Sequence, residues 1–113
     1  MMGGYQKSRQ AQKVRIGMTH ELKVLPEYYW KIPCQKKTFE LRKDDRDFKV
    51  GDILDLKEWD GEKFTGHHVR REITYILRNC KQYGLEDGYC IIGMQPRGWN
   101  YIGLAQAESE GEK

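Results

Sequence analysis

Three side chains near the middle of the chain, Lys37, Glu40 and Arg42, have the types and spacing needed to hold a polar ligand. Lysine and arginine offer charged donors to phosphate or carbonyl oxygens, and a carboxylate accepts from an exocyclic amine. They lie in KTFELRK, residues 37–43, which alternates with a period of two. A strand over this stretch puts Thr38, Glu40 and Arg42 on one face and Lys37, Phe39 and Leu41 on the other, with Lys37 free to swing over the strand's start. Phe39 and Leu41 are expected to anchor a core, and Glu40, Arg42 and Lys37 to form a polar cluster at one mouth of a barrel. The residues alone equally allow an ion pair on a wet outer face, which contributes only about 0–1 kcal/mol.

The elements that must position these groups are short. HELKVL (20–25) has a mixed strand pattern. Pro26 then suits the first turn of a brief helix, PEYYWKI, that Pro33 must stop. DDRDFKVGD reads as a turn-rich link anchored by Phe48 and Val50, before a strand at 52–59. Asp60-Gly61 predicts a tight type I′ hairpin turn. The return strand EKFTG is expected to break or bulge at Gly66, with VRREITYIL (69–77) continuing as a strand and GYCIIGM (88–94) as a buried one. Five or six short strands, two helical turns and hairpin-length links predict a mainly β fold with short helices (α+β), in the form of a small, largely antiparallel β-barrel.

At 113 residues and 38% hydrophobic, the chain suits one domain with a modest core. We read residues 1–17 as a disordered basic tail, 18–104 as the barrel domain and 105–113 as an acidic flexible tail. The net charge of +3 comes from the first segment: Lys7, Arg9, Lys13 and Arg15 stand there without an acid. Residues 18–113 hold sixteen Lys and Arg against seventeen Asp and Glu, so any case for a nucleic-acid partner must come from local patches. No apolar run is long enough for a membrane span, and the expectation is a soluble, cytoplasmic protein. Cys34, Cys80 and Cys90 show neither CxxC spacing nor an even count, so they read as free thiols, with Cys90 buried in a strand. In HHVRR (67–71), neighbours on a strand point opposite ways and no carboxylate or cysteine has ligand spacing, so neither a metal nor another cofactor is expected.

KKTFELR resembles the GxKxxExR signature of the ASCH superfamily, relatives of PUA domains, through Lys37, Glu40 and Arg42. The wider run, from HELKVLPEYY through KTFELRKDDRDFKVGDILDLKEWDG to YGLEDGYCIIGM, resembles the DUF3850 group of that superfamily over about residues 19–94. One position departs from the signature: its glycine is Gln35 here, which puts the entry angle of Lys37 in question. The resemblance implies a PUA-like barrel with a helix ahead of the signature strand. It also implies binding of RNA or a nucleotide-like ligand, for which Tyr28, Tyr29 or Trp30 could stack on a base. His20 and Lys23 lie near the family's start motif and either support the cleft or serve the strand, while Tyr83 either closes the pocket or packs a turn.

An enzymatic alternative follows from the same resemblance. Bacterial N4-acetylcytidine amidohydrolases of the superfamily use a lysine, a threonine and a glutamate. Lys37 matches the lysine, Glu40 occupies the threonine's place, and Thr38 is a displaced hydroxyl candidate. Some ASCH proteins are associated with RNA cleavage, so a ribonuclease reading also stands, with Lys37, Thr38 and Glu40 as catalytic candidates.

Overall fold

The computed structural model describes residues 17–98; the expected basic tail (1–17) except for Gly17, the expected acidic tail (105–113) and the segment 99–104 of the expected domain lie outside them. Five strands form one sheet: β1 (Thr19–Val24), β2 (Phe39–Lys43), β3 (Ile53–Trp59), β4 (Phe64–Leu77) and β5 (Tyr89–Gln95). A four-residue helix, α1 (Pro26–Tyr29), follows β1, and a 3-10 turn at Lys81–Tyr83 precedes β5. Pro26 starts α1 as the sequence suggested, and the chain turns on through residue 35 without further helix.

The spatial order is β1-β3-β4-β5-β2, so the first two strands are the sheet's two edges. Those edges approach each other: the Arg42 guanidinium on β2 donates to the Lys23 carbonyl on β1 at 2.6 Å. The sheet is therefore curled into a half-barrel. All pairings are antiparallel except β1 with β3, which is parallel and requires a long crossover through residues 25–52. That crossover carries α1 and β2.

Inside the curl pack Leu22 and Val24 of β1, Leu54 and Leu56 of β3, Ile73 of β4 and Ile92 and Met94 of β5. Tyr29, Ile32 and Phe48 enter from the connections. Asp52, fully buried, fastens the turn before β3 to the start of β1: it accepts from the Met18 amide at 3.0 Å and the Lys49 amide at 3.1 Å, and meets His20 Nε2 at 2.8 Å. Asp44 and Arg78 form a two-pronged ion pair that ties the end of β2 to the end of β4, with contacts of 2.5 and 3.0 Å.

Two local expectations need correction. The hairpin after β3 is a four-residue loop, 60–63, in which the Asp60 side chain accepts from the Glu62 and Lys63 amides at 2.8 and 2.9 Å. Only Gly61 there takes a positive φ, so Asp60 caps the turn and does not supply the first half of a type I′ turn. The second correction concerns β2, whose sidedness is right and whose facing is reversed. Glu40 pairs with Ile92 and Arg42 with Cys90, both fully buried, so the charged face points into the barrel. Phe39 and Leu41 point outward and are 47% and 56% exposed. The facing follows from β5, whose Cys90, Ile92 and Met94 all enter the core and stand opposite the charged face of β2; a bulge in β4 between Ile73 and Tyr75 brings Ile76 inward as well and leaves Tyr75 and Leu77 outside. The register then lines up Phe39, Gly93 and Tyr75 in one row and Leu41, Ile91 and Leu77 in the next. These rows shelter one another on the outer face.

Candidate functional site

Glu40 is the centre of the site. Its side chain is 4% exposed, yet both oxygens are engaged: Oε1 by Arg42 Nε at 2.9 Å, and Oε2 by the Lys37 ammonium in a short contact. A buried carboxylate costs several kcal/mol unless paired, and here two cations share the compensation. Each cation is anchored again on backbone, Lys37 Nζ on the Phe39 carbonyl at 2.7 Å and Arg42 on that of Lys23. The side chains of Lys37 and Arg42 keep 16% and 25% exposure, so both can still meet a solute.

The turn ahead of β2 aims Lys37. After α1 the chain doubles back, and the Lys36 and Lys37 amides both donate to the Lys31 carbonyl, at 2.9 and 2.8 Å. Gln35, standing where the signature has glycine, has a φ of 64°. It adopts the left-handed conformation that glycine takes freely and other residues take at about 1–2 kcal/mol. From this turn Lys37 reaches Glu40. The turn is pinned to the sheet by Trp30 Nε1, which donates to Glu58 at 2.9 Å, and by the buried Arg71 guanidinium, which donates to the Ile32 carbonyl at 3.3 Å. Burial lowers the Arg71 pKa below its usual value, partly offset by Tyr29. Tyr29 is itself pushed up, first by burial and then by Glu58.

Above Glu40 opens a cleft of about 630 Å³. Its walls carry Lys23, Lys31 and Lys36 besides Lys37 and Arg42, so five basic residues and one acidic residue line it. The apolar lining comes from Val24, Leu25, Tyr28, Phe39 and Leu41, with Tyr28 46% exposed.

Of the residues singled out from sequence, Lys37, Glu40, Arg42 and Lys23 come together here. His20 does not: it sits in the core against Asp52 and edge-on to Phe48. Tyr29, 3% exposed, is a core residue, and its neighbour Tyr28 is the ring at the cleft. Trp30, also half-exposed, turns to Glu58 and His67. Tyr83 stands 85% exposed on the 3-10 turn and does not line the cleft. Thr38 is exposed and outside the lining as well. Sequence reasoning missed Lys31, Lys36 and the cleft role of Phe39. The available signal was Pro33, which stops the helix and forces the chain to bring Lys31 back beside Lys36 and Lys37. His67 and His68 are exposed, as the hairpin reading required, with His68 Nδ1 2.9 Å from Asp55.

A protein of Escherichia phage P2, "Uncharacterized 12.9 kDa protein in GpA 3'region", is 42% identical over 57 residues, which cover 50% of this chain and 52% of that protein. The match thus spans about half the length of that relative. No helix among the described residues is long and apolar enough to cross a membrane. The family described as "Domain of unknown function (DUF3850)" matches residues 19–94, nearly the whole described sheet, and the chain belongs to that family.

Proposed function

We propose that the protein is an ASCH, PUA-like barrel that binds RNA by taking one unstacked nucleotide into the Glu40 cleft. The observation that carries this reading is the composition of the cleft: a lining of five basic residues with a single buried carboxylate, beside the exposed rings of Tyr28 and Phe39. A nucleotide is an apolar plate with polar edges joined to an anion. Tyr28 or Phe39 offers a face to the plate, Lys31 and Lys36 a counter-charge to the phosphate. Glu40 keeps lone pairs beyond those used by Lys37 and Arg42, and these can accept from an exocyclic amine. A duplex presents its bases edge-on in grooves and does not fit this geometry.

The arrangement favours holding a ligand over removing a proton from one, because both Glu40 oxygens already carry cations. Hydrolysis through Thr38 would require its hydroxyl to turn into the cleft. Release of cytidine from N4-acetylcytidine, lost in Lys37→Ala, would establish that alternative. The binding reading is tested by titrating single-stranded RNA at low salt. Lys31→Ala with Lys36→Ala should weaken binding and reduce the slope of log K against log salt by about 1.4, since single strands lose about 0.7 per phosphate contact. An unchanged affinity and slope in a folded double variant would overturn it.

A further inference from the structure

The Glu40 cleft does not end at Arg42. On the other side of that guanidinium, along the seam where β1 and β2 approach, lies a second groove of about 520 Å³. Lys23 and Arg42 line both. The second groove adds Arg46 and Lys57, so four cations line it against one carboxylate, Glu21. Glu21 is already paired with Lys57 at 3.2 Å. Arg46 lies across the seam, its guanidinium donating to the Glu21 carbonyl at 2.6 Å, two residues along β1 from the carbonyl that Arg42 holds. The two arginines thus form a row of charge from one groove to the other. At the groove's outer end stands Phe64, half-exposed and set edge-to-face against Trp59 at 4.9 Å. Lys23 Nζ lies 3.9 Å over the Trp59 ring.

The sequence of features is a ring-lined cleft, a cationic bridge, and a second ring. A mononucleotide needs only the first. A strand of several nucleotides stacks bases on successive aromatic faces while its backbone follows a positive groove, and that is the order found here. We infer that the seam groove is a second station for the same ligand, so that the binding unit is a single-stranded oligonucleotide, with Arg46 and Lys57 on its phosphates and Phe64 beneath a second base. This inference rests on the cleft reading proposed above.

The test uses the full chain, a ribonucleoside monophosphate and a mixed-sequence single-stranded hexaribonucleotide, with affinities measured across a salt series. The wild type should bind the hexamer at least about tenfold more tightly than the monophosphate. Arg46→Gln with Lys57→Gln should leave the monophosphate unchanged, while lowering the salt slope for the hexamer by about 1.4. Phe64→Ala, which leaves every groove charge in place, should cost the hexamer about fivefold or more and the monophosphate nothing. If hexamer and monophosphate bind equally, or if both variants leave hexamer binding intact, the second station is wrong and the cleft reading survives. If the wild type binds neither probe, the cleft reading fails and this inference falls with it.

Discussion

Replacing Glu40 by glutamine keeps the shape of the side chain and removes its charge. In the folded protein this strips the shared partner from Lys37 and Arg42, whose side chains are only 16% and 25% exposed. Losing one member of a fully buried pair costs about 3–5 kcal/mol. Here both cations keep a backbone acceptor, on Phe39 and Lys23, and some water, and the glutamine oxygen still accepts one hydrogen bond. The cost therefore falls to about 2 kcal/mol, near that of one charged hydrogen bond. In a domain of this size that lowers Tm by roughly 8–16 °C, readable by circular dichroism or calorimetry. The converse replacement separates stability from function. Lys37→Met, Glu40→Leu and Arg42→Met together exchange the cluster for apolar volume next to Ile92 and Cys90, and should be neutral or stabilising by about 1–4 kcal/mol while abolishing ligand binding. A Glu40→Gln protein melting within about 2 °C of the wild type would refute the reasoning, because it would mean that the carboxylate is not the buried hub described.

Gln35→Gly should stabilise the fold by about 0.5–1 kcal/mol, the relief of the left-handed strain less the entropy of glycine, measured by urea unfolding. The Asp44–Arg78 pair sets an acid limit. The hydrogen bond from Arg78 holds the Asp44 carboxyl below its ordinary 3.8, so its contribution is present above that pH and is lost as pH falls through the depressed folded value. The gap in Tm between wild type and Asp44→Asn should be constant at neutral pH and close as the solution is acidified below about pH 4. Thiol labelling should run in the order of exposure: Cys34 at once, Cys80 more slowly, and Cys90 only on unfolding, its thiol being both enclosed and pushed up by burial.

The strands, the brief helix and the members of the charged cluster were legible in the sequence because each rests on local signals. Pro26 and Pro33 bracket one turn of helix, and the alternation in KTFELRK marks a strand whatever its surroundings. Which face of that strand turns inward was not legible. It depends on the pairing with β5, whose buried Ile92 stands opposite Glu40 fifty-two residues later in the chain, and apolar Phe39 and Leu41 gave the opposite answer on their own. The same holds for Tyr29 and Tyr28, adjacent residues with the same side chain on a helix too short to have a readable period. Their roles are fixed by where α1 lies over Glu58 and Arg71, which is a tertiary fact. The choice between the two roles open to His20 was not legible either, because its partner Asp52 arrives from a turn thirty-two residues later.

The parallel pairing of β1 with β3 also fixes when the cleft can come into being. β2 lies inside the crossover between those strands, yet among the described residues its only ladder is with β5, the last of the described strands. As the polypeptide is synthesised from its N-terminus, β1, β3 and β4 can pair while the strand that carries Lys37, Glu40 and Arg42 still lacks its ladder partner, since closing so distant a pairing must await the strand that rewards it. The charged cluster sits on the last of the described strands to gain a ladder, and a chain cut short before residue 89 keeps the cluster and its acceptor on β1 without the strand that holds β2 in the sheet.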